Sequence, residues 1–210
     1  MTWLLTITVF AYLLGSIPSG LIAGKLRGLD IRTQGSGSTG STNVLRLLGP
    51  RIAAIVLATD VLKGAIPVFL VSNEIIPTSS SAFLTHSAGM EAASGLAVIA
   101  GHNWPVFARF RGGRGVSSAL GAALVMTPFG ALAGLILWGI FVGLWRYVSL
   151  ASLAAVSLTG GLMIINFSTN AVSWPYAIFG AVTMAMITYQ HKENINRLMQ
   201  KKEPRLGEHR

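Results

Sequence analysis

Long apolar stretches occupy most of this chain, at roughly 3–24, 52–72, 83–101, 116–127, 129–145, 148–166 and 174–190, and three polar segments rich in glycine or basic residues break them up. A helix needs about 20 apolar residues to cross a bilayer, within a range near 17–25. In lipid the backbone must satisfy its own hydrogen bonds, so irregular chain is tolerated there only where protein or a water-filled cavity covers it. The expected fold is therefore an all-α integral membrane protein of about seven transmembrane helices, with residues 1–210 forming one polytopic domain. The stretch 116–127 is shorter than a normal span, and Pro128 follows it. Residues 116–145 are thus either two spans or a re-entrant hairpin, and both return the chain to the same side.

Composition agrees. Charged residues make up 11% of the chain, against about 25% in a soluble domain, and mean hydropathy is +0.61. The first apolar run lacks a basic start and a small-residue cleavage pattern, which predicts a retained helix rather than a removed leader. Lysine and arginine outnumber aspartate and glutamate 16 to 7. Lys25, Arg27, Arg32, Arg46 and Arg51 follow the first span, Arg109, Arg111 and Arg114 the third, Arg146 the fifth, and the basic residues from Lys192 onward the last. The loops near 73–82 and 167–173, the first holding the Thr78–Ser81 patch, have none. By the positive-inside rule, the N-terminus is outside, the C-terminus is cytoplasmic, and all three polar segments share the cytoplasmic face. Cysteine is absent, which excludes disulfides and thiolate metal sites.

The first polar segment, Gly35-Ser-Gly-Ser-Thr-Gly-Ser-Thr-Asn-Val-Leu-Arg46, contains the pattern G-x-G-x-x-G. That pattern marks a dinucleotide site only after a strand and within a βαβ unit, and here a membrane helix precedes it. Two readings remain. Glycines let the backbone approach an anion, helix N-terminal amides favour negative charge, and Ser41 or Thr42 supplies a cap. The plainer reading is a flexible inter-helix connection. In the second segment Arg109, Arg111 and Arg114 surround Gly112, Gly113 and Gly115 just before a helix start at Val116. Walker spacing is absent. Arg109 and Arg111 suit lipid head groups as well as a bound anion; Arg114 sits between glycines, where a ligand has room to approach. In the third segment His191 and Asn194 have i, i+3 spacing and share a helix face. A histidine at a helix end is more often a cap or a lipid contact than a catalyst. Lys201, Lys202 and Arg205 read as a basic membrane-surface run. Asp60 and Lys63 stand at i, i+3 inside the second span, where charges are costly and mark either function or a packed ion pair. The spacing favours the pair. Glu91 in the third span is equally ambiguous.

At these residues the chain resembles the bacterial acyl-phosphate-dependent glycerol-3-phosphate acyltransferases, the membrane family known as PlsY. Gly35 to Arg46 matches the family's G-S-G-N-x-G-A-T-N-V-L-R, Gly101 to Val116 its G-H-x-x-P-x-F and F-x-G-G-K-G-V, and His191 to Leu198 with Glu203 its H-x-x-N-I-x-R-L and following glutamate. Asp60 to Gly64 matches Asp-x-x-Lys-Gly. Ser38 replaces the usual asparagine, Ser41 an alanine, Arg114 a lysine and Lys201 a frequent glycine. The resemblance implies a multi-pass enzyme of the bacterial inner membrane with its active site facing the cytoplasm. It would move a fatty acyl group from acyl phosphate to the 1-hydroxyl of glycerol 3-phosphate, the first step of phospholipid synthesis, with no metal, cofactor or nucleic acid involved. Partners would be the two substrates, membrane lipid and the enzyme that produces acyl phosphate. On this expectation Ser36 and His191 are catalytic, and Arg46, Arg114, Asn194, Gly35, Gly37, Gly112 and Gly113 bind phosphate. Asn43, His102, Lys63 and Glu203 support the site. The base is His191 or a substrate phosphate oxygen. A transporter of a phosphorylated metabolite and a lipid-binding scaffold are the rival readings.

Overall fold

A computed structural model describes residues 2–73 and 83–208, so the Thr78–Ser81 patch lies outside the described residues. Ten α-helices follow one another: α1 (Thr2–Gly15), α2 (Ser19–Lys25), α3 (Ser41–Leu48), α4 (Pro50–Ser72), α5 (Phe83–Asn103), α6 (Val116–Met126), α7 (Pro128–Trp145), α8 (Val148–Ser168), α9 (Trp174–Gln190) and α10 (Lys192–Met199). Among the described residues there is no strand. Among the described residues, four segments are long and apolar enough to cross a membrane: Trp3–Lys25, Pro50–Ser72, Pro128–Trp145 and Val148–Ser168. Helix α6, with 11 residues, is only about 16 Å long, roughly half the hydrocarbon thickness.

The first stretch, expected as one helix, is two. It breaks at Ser16-Ile17-Pro18 because Pro18 offers no amide and its ring obstructs the preceding turn. A break inside lipid exposes a carbonyl, and here Lys63 Nζ donates to Ile17 O at 3.0 Å. Lys63 also pairs with Asp60 at 2.8 Å, and Ser19 Oγ, on the far side of the break, donates to Asp60 Oδ1 at 2.6 Å. The intramembrane pair therefore repairs a broken helix.

Helices α1 and α5 pack together, as do α4 and α6, α7 and α8, and α8 and α9. The α4–α6 contact depends on glycine in both directions. A Cβ on Gly64 would strike Ser118 O, and one on Gly121 would strike Val61 O. Small residues let membrane helices approach closely where lipid supplies no hydrophobic drive for association. The largest buried apolar cluster, with Val98, Ile99, Met126, Met163, Phe179 and Ile187, joins α5, α6, α8 and α9. The polar segments meet at one end of this bundle.

Candidate active site

The glycine segment owes its shape to Asn43 in α3. The Asn43 carboxamide Nδ2 donates to Ile31 O (2.9 Å), Gln34 O (3.2 Å) and Ser38 O (2.9 Å), and Oδ1 accepts from the Ser36 amide at 2.9 Å. Gly35 and Gly37 have positive φ, and a Cβ on Gly35 would collide with Asn43 Oδ1. One buried side chain thus holds the turn that presents Ser36. The expected cap on α3 is not found: Gly40 is the N-cap, and neither Ser41 nor Thr42 caps the helix, while the Gly40 amide donates to Ser38 Oγ at 3.2 Å.

The second segment is held from α5. The Gly113 amide donates to His102 O at 3.0 Å, and a Cβ on Gly113 would strike the His102 ring. That close approach fixes the backbone directly before Arg114. On its other side the His102 Nδ1 lies 3.6 Å from Asp60 Oδ1. The repaired helix break and the arginine loop therefore share one buried cluster.

His191 is not on a continuous helix with Asn194. It caps the end of α9 and is the N-cap of α10, its carbonyl accepting from the Ile195 amide at 2.8 Å, so it stands at the junction one turn before Asn194. Its Nδ1 lies 2.8 Å from Ile187 O. A carbonyl only accepts, so Nδ1 carries the proton and Nε2 keeps its lone pair. Burial, with Arg114 next in effect, pushes the His191 pKa down to about 4. Burial likewise lowers that of Arg114 to about 10, the guanidiniums of Arg197 and Arg46 contributing. Arg114 and Arg46 thus lie within electrostatic reach of each other.

The chain beyond α10 turns back onto the site. Glu203 accepts from Ser149 Oγ (2.7 Å), Asn194 Nδ2 (2.6 Å) and Arg197 Nε (2.7 Å). These bonds outweigh its burial and hold the carboxyl below its ordinary pKa. The Leu206 amide donates to Arg146 O at 2.8 Å, fastening the tail to the C-cap of α7.

A cavity of about 590 Å³ joins these parts. Ser36, Asn43, Asp60, His102, Arg114 and His191 line its polar end. The rest runs between α4, α6, α7, α8 and α9, past Trp138 and Ala155 to Met163 and Phe179. Of the residues expected at the site, Arg46, Asn194, Lys63 and Glu203 stand behind the wall, and Gly35, Gly37, Gly112 and Gly113 shape its backbone. Sequence reading missed Ser149, which also lines the cavity and carries no motif, and it gave Asp60 only a structural place. A signal for Asp60 existed: Ala53, Leu57 and Asp60 recur at helical spacing and all face the cavity. Asn194 Oδ1 and Asp60 Oδ2 are buried with no partner among the described residues.

An apolar slot opening onto a cationic, serine-bearing mouth fits a membrane protein that takes an amphiphile with an anionic head. The family model for glycerol-3-phosphate acyltransferase matches residues 5–201. The chain is 40% identical over 205 residues to glycerol-3-phosphate acyltransferase of Prochlorococcus marinus (strain NATL1A), covering 97% of this chain and 98% of the relative. It is 37% identical over 204 residues to that of Alkaliphilus metalliredigens (strain QYMF), covering 97% and 96%. The crystal structure of PlsY (YgiH), an integral membrane glycerol 3-phosphate acyltransferase in its glycerol 3-phosphate form, superposes with TM-score 0.85 at 38% identity over 97% of this chain and 96% of that one. A lysophosphatidic acid form superposes with TM-score 0.83 at 37% identity, over 97% and 95%. The chain belongs to the glycerol-3-phosphate acyltransferase family and is an integral membrane acyltransferase of that kind, so the transporter reading finds no support.

Proposed function

We propose that this protein transfers a fatty acyl group from acyl phosphate to the 1-hydroxyl of glycerol 3-phosphate, releasing phosphate and 1-acyl-glycerol 3-phosphate. The observation that carries this reading is one continuous cavity with a cationic mouth and an apolar interior. An acyl phosphate has the matching division: an anionic head and a tail that gains by leaving water. With the tail between α6 and α9, the head reaches Ser36, the amides of the glycine turn and Arg114. Arg46 adds charge from behind. Both substrates are phosphorylated, and guanidinium forks suit phosphate oxygens.

Glycerol 3-phosphate then sits beside His191 and Asn194. Attack by its hydroxyl on the acyl carbonyl forms the new ester bond and breaks the bond from acyl carbon to phosphate oxygen. Its proton passes to His191 Nε2 or to an oxygen of the departing phosphate. The neutral tautomer of His191 equips it for either task, as base or as positioning acceptor. Developing charge on the carbonyl oxygen is met by Ser36 and neighbouring amides. Acyl phosphate is already activated, so direct transfer needs no acyl-enzyme. The Glu203 bonds keep Asn194 and Arg197 in register with this constellation. We assign the polar mouth to the cytoplasmic face of a bacterial inner membrane, in a bundle of seven spans, where the acyl-phosphate-producing enzyme would deliver the donor.

Purified protein in detergent, given palmitoyl phosphate and glycerol 3-phosphate, should release inorganic phosphate in step with lysophosphatidic acid. Folded protein that releases none refutes the reading. Ser36→Ala should lower turnover about 100-fold, the usual effect of removing one donor to a developing oxyanion.

A further inference from the structure

Arg109 and Arg111 lie outside the cavity just described. They line a second recess, of about 440 Å³, together with Asp30, Arg32 and Thr33. The two charged residues on the opposite wall satisfy each other: Arg32 Nε donates to Asp30 Oδ1 at 3.0 Å and Nη2 to Oδ2 at 2.7 Å. Thr33 Oγ1 is engaged with Asp30 O. Arg109 and Arg111 have no carboxylate partner among the described residues, so their charge is uncompensated.

What surrounds them narrows the ligand. Phe107 is 62% exposed and Phe110 59%, in a loop that belongs to no apolar span. Arg109 and Phe110 both adopt left-handed backbone, φ 55° and 60°. Two such non-glycine residues in succession are costly, and the cost is met where a turn must present alternating side chains outward. Leu26, 81% exposed between Lys25 and Arg27, repeats the pairing of apolar and basic residues just before the other wall. A soluble anion needs the arginines but not the phenylalanines. Aromatic rings beside cations belong to the head-group level of a bilayer, where the ring meets acyl chains and the cation meets phosphate.

We propose that the recess between residues 30–33 and 109–111 holds the phosphate of an anionic phospholipid, with Arg109 and Arg111 as its ligands and Phe107 and Phe110 set among the acyl chains. The site is separate from the acyl-transfer cavity and does not depend on the reaction assigned there. It would keep the arginine loop that leads into Arg114 pinned to the membrane surface.

The test uses purified full-length protein in neutral detergent. Short-chain phosphatidylglycerol should raise the thermal midpoint, whereas phosphatidylcholine of the same chain length and inorganic phosphate at equal concentration should not. Native mass spectrometry of the wild type should show phosphatidylglycerol retained over phosphatidylcholine. In the R109Q/R111Q protein, apparent affinity for phosphatidylglycerol should fall at least 10-fold while phosphate release from palmitoyl phosphate in detergent stays near wild type. F107S/F110S should weaken lipid binding and leave any effect of free phosphate unchanged. Equal shifts from phosphatidylcholine, an equal shift from inorganic phosphate alone, or undiminished binding by R109Q/R111Q would each overturn the proposal. If R109Q/R111Q fails to fold, the wild-type comparison of the two lipids and free phosphate still decides.

Discussion

Asn43 does more for the site than any residue that touches the cavity with a charge. Four backbone groups converge on its carboxamide, and each buried polar group left without a partner costs about 1–3 kcal/mol. Asn43→Ala should therefore disorder the glycine turn and lower kcat/KM about 100-fold, equivalent to roughly 2.7 kcal/mol in the transition state. Because four buried backbone groups lose their partner, the thermal midpoint should fall as well; wild-type turnover in this variant would contradict the account. His191 makes a different prediction. Its pKa falls from 6.5 to about 4 on folding. Between those values the unfolded chain binds a proton that the folded chain refuses, so stability drops as pH falls through that window. The full effect is roughly 3 kcal/mol. His191→Gln lacks this titration, so from pH 7 to pH 4 the wild-type midpoint should fall further than the variant's. Parallel curves would show that His191 is not held neutral.

At the scale of helices, the cavity wall sets which chains fit. Ala155 lies on α8 about 9 Å beyond Ser149 at the polar end, and both residues line the cavity. Ala155→Phe should close the apolar part midway. Transfer from palmitoyl phosphate is then expected to drop about 10-fold in kcat/KM while octanoyl phosphate, with its shorter tail, is still used. Equal losses for both donors would place the tail elsewhere. The helices themselves were largely legible, because long apolar runs leave the backbone few choices. The break in the first span was not. Pro18 ends α1, yet Pro67 stands inside α4 without ending it. Both prolines stand in a Gly-x-Ile-Pro stretch; what differs is Lys63 and Asp60 arriving from α4 to serve the turn broken at Pro18. The same limit hid Ser149, whose place depends on a glutamate 54 residues away. Motif residues could be read because their glycines and arginines are unusual in an apolar chain, but their partners are ordinary residues in ordinary helices.

For the whole molecule the open issue is orientation, and charge argues it. Each basic residue bound at the polar end of the bundle adds to a field that favours the cytoplasmic side during insertion. Arg46, Arg114 and Arg197 stand at the site itself and Arg32 is paired with Asp30 beside it, while Arg109, Arg111 and Lys192 are exposed there with no structural duty in the cavity. Lys63 is the exception, and it is buried beside Asp60, so it contributes nothing to that asymmetry. On the proposed orientation, function and topology would draw on the same cations: the charge that would bind two phosphorylated substrates would also direct that face to the cytoplasm. A periplasm-active reporter fused after Asn73 should be active, and one fused after Met199 silent, with a cytoplasm-active reporter giving the reverse. Replacing Arg109 and Arg111 by glutamine should leave this pattern intact, since the remaining basic residues keep the bias. Activity of the cytoplasmic reporter at Asn73 would turn the bundle over and, with it, put the polar mouth of the cavity on the outer side.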